Sequence, residues 1–174
     1  MTEPTRHIVS ILVEDSPGEL ARIVGLFSGR GFNIDSLAVN RTTEPRMSRV
    51  VLVTRADEKV IEQITKQLNK LIRVHKVIQH PQGTLERELV VLTLRCQNAK
   101  SREDIERICK LTGARTITYT AADFTVELTA NAAKVDDFIE LCRPLGIRQM
   151  VRSAPVAFGK PGESAESDTF EATA

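Results

Sequence analysis

The order of secondary-structure elements most limits the folds open to this chain, because the sequence spells it twice, about eighty residues apart. Residues 7–14, HIVSILVE, are β-branched and almost continuously apolar, the pattern of a central buried strand. A helix start follows, with Ser16 as N-cap, Pro17 at the first helical position and Glu19 as the reciprocal residue of a capping box. Leu20, Ile23, Val24 and Phe27 recur at helical spacing and make one apolar face. Gly29 and Gly31 end that helix, one of them in the left-handed conformation. Residues 32–40 and 48–55 read as strands around a hairpin loop at 42–46 that contains Pro45. Asp57 caps a second helix whose core face carries Val60, Ile61, Ile64, Leu68 and Leu71, and residues 72–78 make a fourth strand. The order β-α-β-β-α-β is the ferredoxin-like motif.

The second half repeats it. Residues 88–96 read as a strand, Ser101 with Asp104 as a helix cap, and Ile105, Ile108 and Cys109 as the face of a helix ended by Gly113. A hairpin at 114–120 and 123–129 follows, its second strand alternating Phe124, Val126 and Leu128 with Thr125, Glu127 and Thr129. Val135, Phe138, Ile139 and Cys142 line a last helix, stopped by Pro144 and Gly146, before a strand at 147–152. The two halves share pattern and little residue identity. The expected fold class is α+β, with two ferredoxin-like βαββαβ domains in tandem. The boundaries are a flexible N-terminus at 1–6, a first domain at 7–79, a Pro- and Gly-containing linker at 80–86 and a second domain at 87–154. A small, polar, acidic tail at 155–174 is expected to lack fixed structure.

Composition removes several function classes. The formal net charge is +1, which supplies no field for steering onto nucleic acid, and Trp is absent with Tyr119 the single tyrosine, so base-stacking platforms are scarce. No apolar run reaches the roughly 20 residues of a membrane helix, and the first residues lack an apolar signal region. A cytoplasmic location is therefore expected, and Cys96, Cys109 and Cys142 fit it as three separated, apolar-flanked thiols with no metal-like spacing. His7, His75 and His80 sit in no metal motif, and no phosphate-binding glycine loop is present. No catalytic or metal site is expected, and no cofactor in this chain.

The chemistry that can be read lies in the first strand-to-helix turn, Glu14-Asp15-Ser16-Pro17-Gly18-Glu19. A helix N-terminus offers unpaired N–H groups and partial positive charge to a carboxylate. Gly18 lets a small ligand approach the backbone, and Asp15 beside it suits an ammonium group. Carboxylate and ammonium together describe a free α-amino acid. A plain helix cap explains the same residues, and spacing alone favours it. Asn33, which donates and accepts, follows the helix-ending glycines and reads equally as a turn residue. Arg30 and Arg41 read as solvated charges.

The segment HIVSILVEDSPGELARIVGLFSGRGFNIDSLAVNRTTEP closely resembles the start of the acetolactate synthase (acetohydroxyacid synthase) small subunit, and VIEQITKQLNKLIRVHKV is also similar to that family. The DSPGELARI turn is shared with ACT domains, the amino-acid-binding modules of metabolic regulation; its pairing with RGFNIDSL narrows the resemblance. The second half resembles the family in layout.

The resemblance implies a non-catalytic chain that binds and activates a thiamine-diphosphate-dependent large subunit and makes it sensitive to valine, in branched-chain amino acid synthesis. Thiamine diphosphate, magnesium and FAD would belong to that partner. The effector, valine or else leucine or isoleucine, would sit between the ACT domains of a homodimer. Asp15, Pro17 and Gly18 would come from one chain, with the ligand carboxylate on the Gly18 amide, and Asn33 and Ile34 from the other. The family often has Asn at position 15, so Asp15 bears on which amino acid fits. Neither nucleic acid nor membrane is an expected partner. A stand-alone amino-acid-sensing regulator of another pathway or of gene expression is the alternative. A ferredoxin-like acyl-phosphate hydrolase would want an Arg–Asn pair such as Arg30 and Asn33, but also a phosphate cradle that the first turn lacks.

Overall fold

The structure, a computed structural model, describes residues 4–159. They form two compact units: one holds the described residues up to Leu85 together with those from Ala154, the other Glu86–Ser153.

The first unit is built as β1 (Thr5–Glu14), α1 (Glu19–Ser28), β2 (Ser36–Arg41), β3 (Met47–Ala56), α2 (Glu58–Leu68) and β4 (Val74–His80). The strands form an antiparallel sheet in the order β2-β3-β1-β4, the ferredoxin-like topology. β1 is central, which is why its residues are apolar on both faces. Val9, Ile11 and Val13 point with Val50 and Leu52 at the helices and meet Ile23, Phe27, Ile61, Ile64 and Leu68. Burying such side chains contributes about 1.5–3 kcal/mol each. On the other face Ile8, Val51 and Val53 pack with Ala157. β1 starts at Thr5, so it takes up residues expected to be a flexible N-terminus.

The second unit repeats the plan as β5 (Leu85–Arg95), α3 (Ala99–Thr112), β6 (Arg115–Tyr119), β7 (Asp123–Ala130), α4 (Ala132–Cys142) and β8 (Ile147–Arg152), in the order β6-β7-β5-β8. Its core gathers Val90, Leu92, Leu94, Ile105, Phe124, Val126, Leu128, Val135 and Phe138. The repetition reaches single hydrogen bonds. The Glu14 amide donates to the Arg73 carbonyl at 3.0 Å and the Asp15 amide to the Arg46 carbonyl at 2.7 Å. At the matching places Arg95 donates to Gly146 at 3.0 Å and Cys96 to Ala122 at 2.7 Å. Both central strands carry a register shift just before these bonds, at Leu12/Val13 and Thr93/Leu94.

Other expectations change as well. The α1 helix begins at Glu19, not Pro17, and Ser16 and Glu19 make no capping box, because Gly18 at φ 89° is the N-cap and offers no side chain. The buried stripe of α1 is Glu19, Ile23 and Phe27, while Leu20 is 40% exposed. The cap of α3 is Asn98; Ser101 is its reciprocal partner at the third helical position. From 155 on the chain was expected to lack fixed structure, yet Val156–Phe158 form a strand, β9, whose Ala157 is buried against Ile8, Val51 and Val53. The remainder of that tail, 160–174, lies outside the described residues.

Candidate functional site

The β1–α1 turn is held from three sides. Hydrogen bonds donated by the Asp15 and Glu14 amides tie it to the β2–β3 loop and to the segment before β4. Arg46, whose carbonyl receives the Asp15 amide, adopts φ 63°, a left-handed conformation that costs a non-glycine residue about 1–2 kcal/mol. The third support is Glu19. Its side chain is only 4% exposed, yet Arg22 donates to its Oε1 at 3.0 Å and Arg73 Nη1 lies 3.5 Å from the same oxygen. Arg73 Nε also stands 3.7 Å from Glu14 Oε2, and His75 Nε2 is 3.4 Å from Glu14 Oε1. Sequence reading gave Glu19 a capping role and missed Arg73; the i, i+3 spacing of Glu19 and Arg22 was the available signal.

This frame leaves the helix start without a side-chain cap, the Glu19 amide making only a 3.3 Å bond to the Ser16 carbonyl. Nothing lies within 4 Å of where a Gly18 side chain would begin, so any other residue there meets backbone strain and not a clash. At the matching turn of the second unit the corresponding groups are taken. Asn98 Oδ1 accepts the Ser101 amide at 2.9 Å, and Ser101 Oγ accepts the Asn98 and Gln97 amides, each at 3.0 Å.

Asp15 is partly exposed and pairs with Arg41 Nε at 2.9 Å, so Arg41 belongs to the site although it is 85% exposed. Arg30, read as solvated, is exposed and donates to the Leu26 carbonyl. An open hollow of about 390 Å³ adjoins the turn, lined by Glu14, Asp15, Ser16, Pro45, Arg46, Met47 and His75. Gly18 and Pro17 do not line it.

Asn33 and Ile34 lie elsewhere in the chain. Asn33 Nδ2 donates to Asp35 Oδ1 at 2.9 Å, its carbonyl accepts from the Thr54 hydroxyl at 2.6 Å, and Ile34 packs on the core. Glu14 pairs with Met47 and Ser36 with Val53, six positions apart along β3, about 20 Å at the rise of an extended strand. Gly18 and Asn33 also flank opposite ends of the 10-residue α1. One chain therefore does not unite them.

Among the described residues no group of three or more His, Cys, Asp or Glu is placed to hold a metal, and no helix is long and apolar enough to cross a membrane. The cysteines are free and buried. Burial pushes the Cys142 thiol up to about 12, with Cys109 adding to the rise, and raises Cys109 as well. Such thiols are poor nucleophiles.

Two ferredoxin-like units with an open, glycine-led helix start in the first define an ACT-type regulatory protein. Residues 9–76 match the family described as AHAS small subunit-like ACT domain, and residues 87–161 match the small subunit of acetolactate synthase. The chain is 40% identical over 159 residues to the probable acetolactate synthase small subunit of Methanothermobacter thermautotrophicus, covering 91% of this chain and 95% of that protein. It is 42% identical to the acetolactate synthase small subunit of Mycobacterium leprae over 155 residues, covering 88% and 91%. The crystal structure of the small subunit from Thermotoga maritima superposes with a TM-score of 0.82 at 31% identity, covering 90% of this chain and 98% of that one. The chain belongs to the acetolactate synthase small-subunit family and is a regulatory subunit, not a catalytic one.

Proposed function

We propose that this chain binds and activates the catalytic large subunit of acetolactate synthase and makes it subject to feedback inhibition by valine. Thiamine diphosphate, magnesium and FAD reside in that partner. The observation that carries the reading is the uncapped α1 start at Gly18 beside the Asp15 carboxylate. Its amides suit an amino-acid carboxylate, and Asp15 suits the ammonium group in exchange for Arg41.

The strand register supports a site shared by two chains. Pairing two sheets antiparallel through their β2 edges reverses the partner's strands. The partner subunit's Asn33 and the partner subunit's Ile34 then come to the Gly18 end. Pairing through β4 leaves them several strands away, because β2 and β4 are opposite edges of the sheet. Millimolar binding needs only about 4 kcal/mol net. Two or three hydrogen bonds to charged groups, at roughly 1.5–3 kcal/mol each, supply that before ordering costs. A coupling of about 1–3 kcal/mol between effector and holoenzyme activity changes activity roughly five- to 150-fold.

The test is calorimetry of valine, leucine and isoleucine with the full chain, followed by reconstitution with the catalytic subunit. Valine saturates a site in the wild type, and Gly18→Asp abolishes both binding and inhibition while the chain stays folded. Unchanged valine inhibition of the Gly18→Asp holoenzyme refutes the site. Asp15→Asn releases Arg41 and alters the preference among the three amino acids; an identical preference removes Asp15 from the contact.

A further inference from the structure

We infer that the loop between α2 and β4, with Ile72 at its tip, is the surface through which this chain docks on its catalytic subunit. The inference rests on the function proposed above. The sheet of the first unit has two edges, β2 and β4. That function gives β2 to a second copy of the chain, which leaves β4 and the loop that enters it for a different partner.

The loop's composition describes the partner's face. Leu71 and Val74 turn inward and pack on the core, whereas Ile72 between them is 96% exposed. Lys70 is exposed and has no acidic partner among the described residues. His75 follows, at 50% side-chain exposure, whereas the Arg73 guanidinium turns away to Glu14 and Glu19. An apolar knob inside a basic rim fits an apolar hollow rimmed by carboxylates, with the apolar anchor carrying affinity and the charges carrying orientation and encounter rate.

The same loop is fastened to the effector turn. The Arg73 carbonyl accepts the Glu14 amide, and its guanidinium reaches Glu14 and Glu19, which bracket Asp15 to Gly18. A partner that grips Ile72 thus holds the residue next to the one that positions the turn. Arg73 is a positioning residue in this arrangement: it touches neither effector nor catalytic subunit, and coupling through it is reciprocal.

Three full-length variants test this in reconstitution with the cognate catalytic subunit. Ile72→Asp raises the concentration for half-maximal activation about tenfold or more, with valine binding, homodimer mass and thermal unfolding as in wild type. Lys70→Glu raises it less, and the increase shrinks at high salt. Arg73→Gln leaves activation intact and flattens the valine inhibition curve. An unchanged half-activating concentration for Ile72→Asp overturns the docking surface. Loss of the homodimer in that variant also overturns it and makes the loop a contact between copies. Wild-type valine inhibition with Arg73→Gln overturns the link to the turn. Failure of the wild-type chain to activate defeats the parent reading, and is told apart from the other outcomes by that control alone.

Discussion

The buried Glu19 carboxylate makes an asymmetric prediction. Its side chain is 4% exposed, whereas its partners Arg22 and Arg73 are 63% and 42% exposed. Removing the arginines leaves a charge out of water with nothing to meet it; removing Glu19 leaves two arginines that reach solvent. Arg22→Met with Arg73→Met keeps most of the apolar stems and should cost about 3–5 kcal/mol, the scale for a buried charge that loses its partner. Glu19→Met should cost no more than about 1 kcal/mol, because the desolvation penalty leaves with the charge. The triple variant should then be more stable than the double variant, the sign that a contact-by-contact sum would not give. Urea unfolding followed by far-UV circular dichroism reports both units, so the first unit's transition is the component the tyrosine signal does not share, with stability from linear extrapolation. Tyr119, the chain's single tyrosine, lies in the second unit, and its fluorescence transition should not move. A triple variant no more stable than the double variant would refute the reasoning.

Other expectations are simpler to check. Burial raises the Cys142 thiol to about 12 from an ordinary value near 9, so the folded state holds that proton more tightly than the unfolded state. Its contribution is complete below about pH 9 and is lost as pH rises toward about 12; alkaline unfolding of a Cys142→Ala variant should show a shallower slope through that window. At pH 8 a thiol reagent should leave Cys109 and Cys142 untouched until denaturant is added. Asn98→Ala removes the α3 cap and should cost about 1 kcal/mol, seen as a lower midpoint of the tyrosine transition alone. Ending the chain at Ser153 strips Ala157 from Ile8, Val51 and Val53. It should lower the stability of the first unit by about 1–3 kcal/mol and raise binding of an apolar dye.

Much of the fold was legible because its signals are local. The stripe Ile61, Ile64 and Leu68 is the face that α2 buries, and Gly31 is left-handed where the helix was read to end. Asp57 sits at the N-cap of α2 as read, though its side chain makes no cap bond. What stayed hidden depends on residues distant in sequence. Nothing near Glu19 announces that Arg73 will come to it across the sheet and let a carboxylate replace Leu20 on the buried face. Residues 32–35 read as strand by their neighbours, but β2 begins only at Ser36. The Thr54 hydroxyl takes the Asn33 carbonyl outside the ladder. For the candidate site, motif position names Gly18 and Asn33 as residues of different chains, and the strand register keeps the two apart within one chain.

The capped turn of the second unit amounts to a ligand written into the chain. Asn98 Oδ1 holds an amide at 2.9 Å in the place where, on the proposed reading, the first unit awaits a carboxylate. A group tethered three residues away acts at an effective concentration far above millimolar. No metabolite at physiological level competes with it. The second turn stays in its occupied form, insensitive to supply, while on the proposed reading its counterpart in the first unit fills and empties with the medium. On that reading the two turns are like a reference cell and a sample cell, one fixed by its own side chains and the other free to respond.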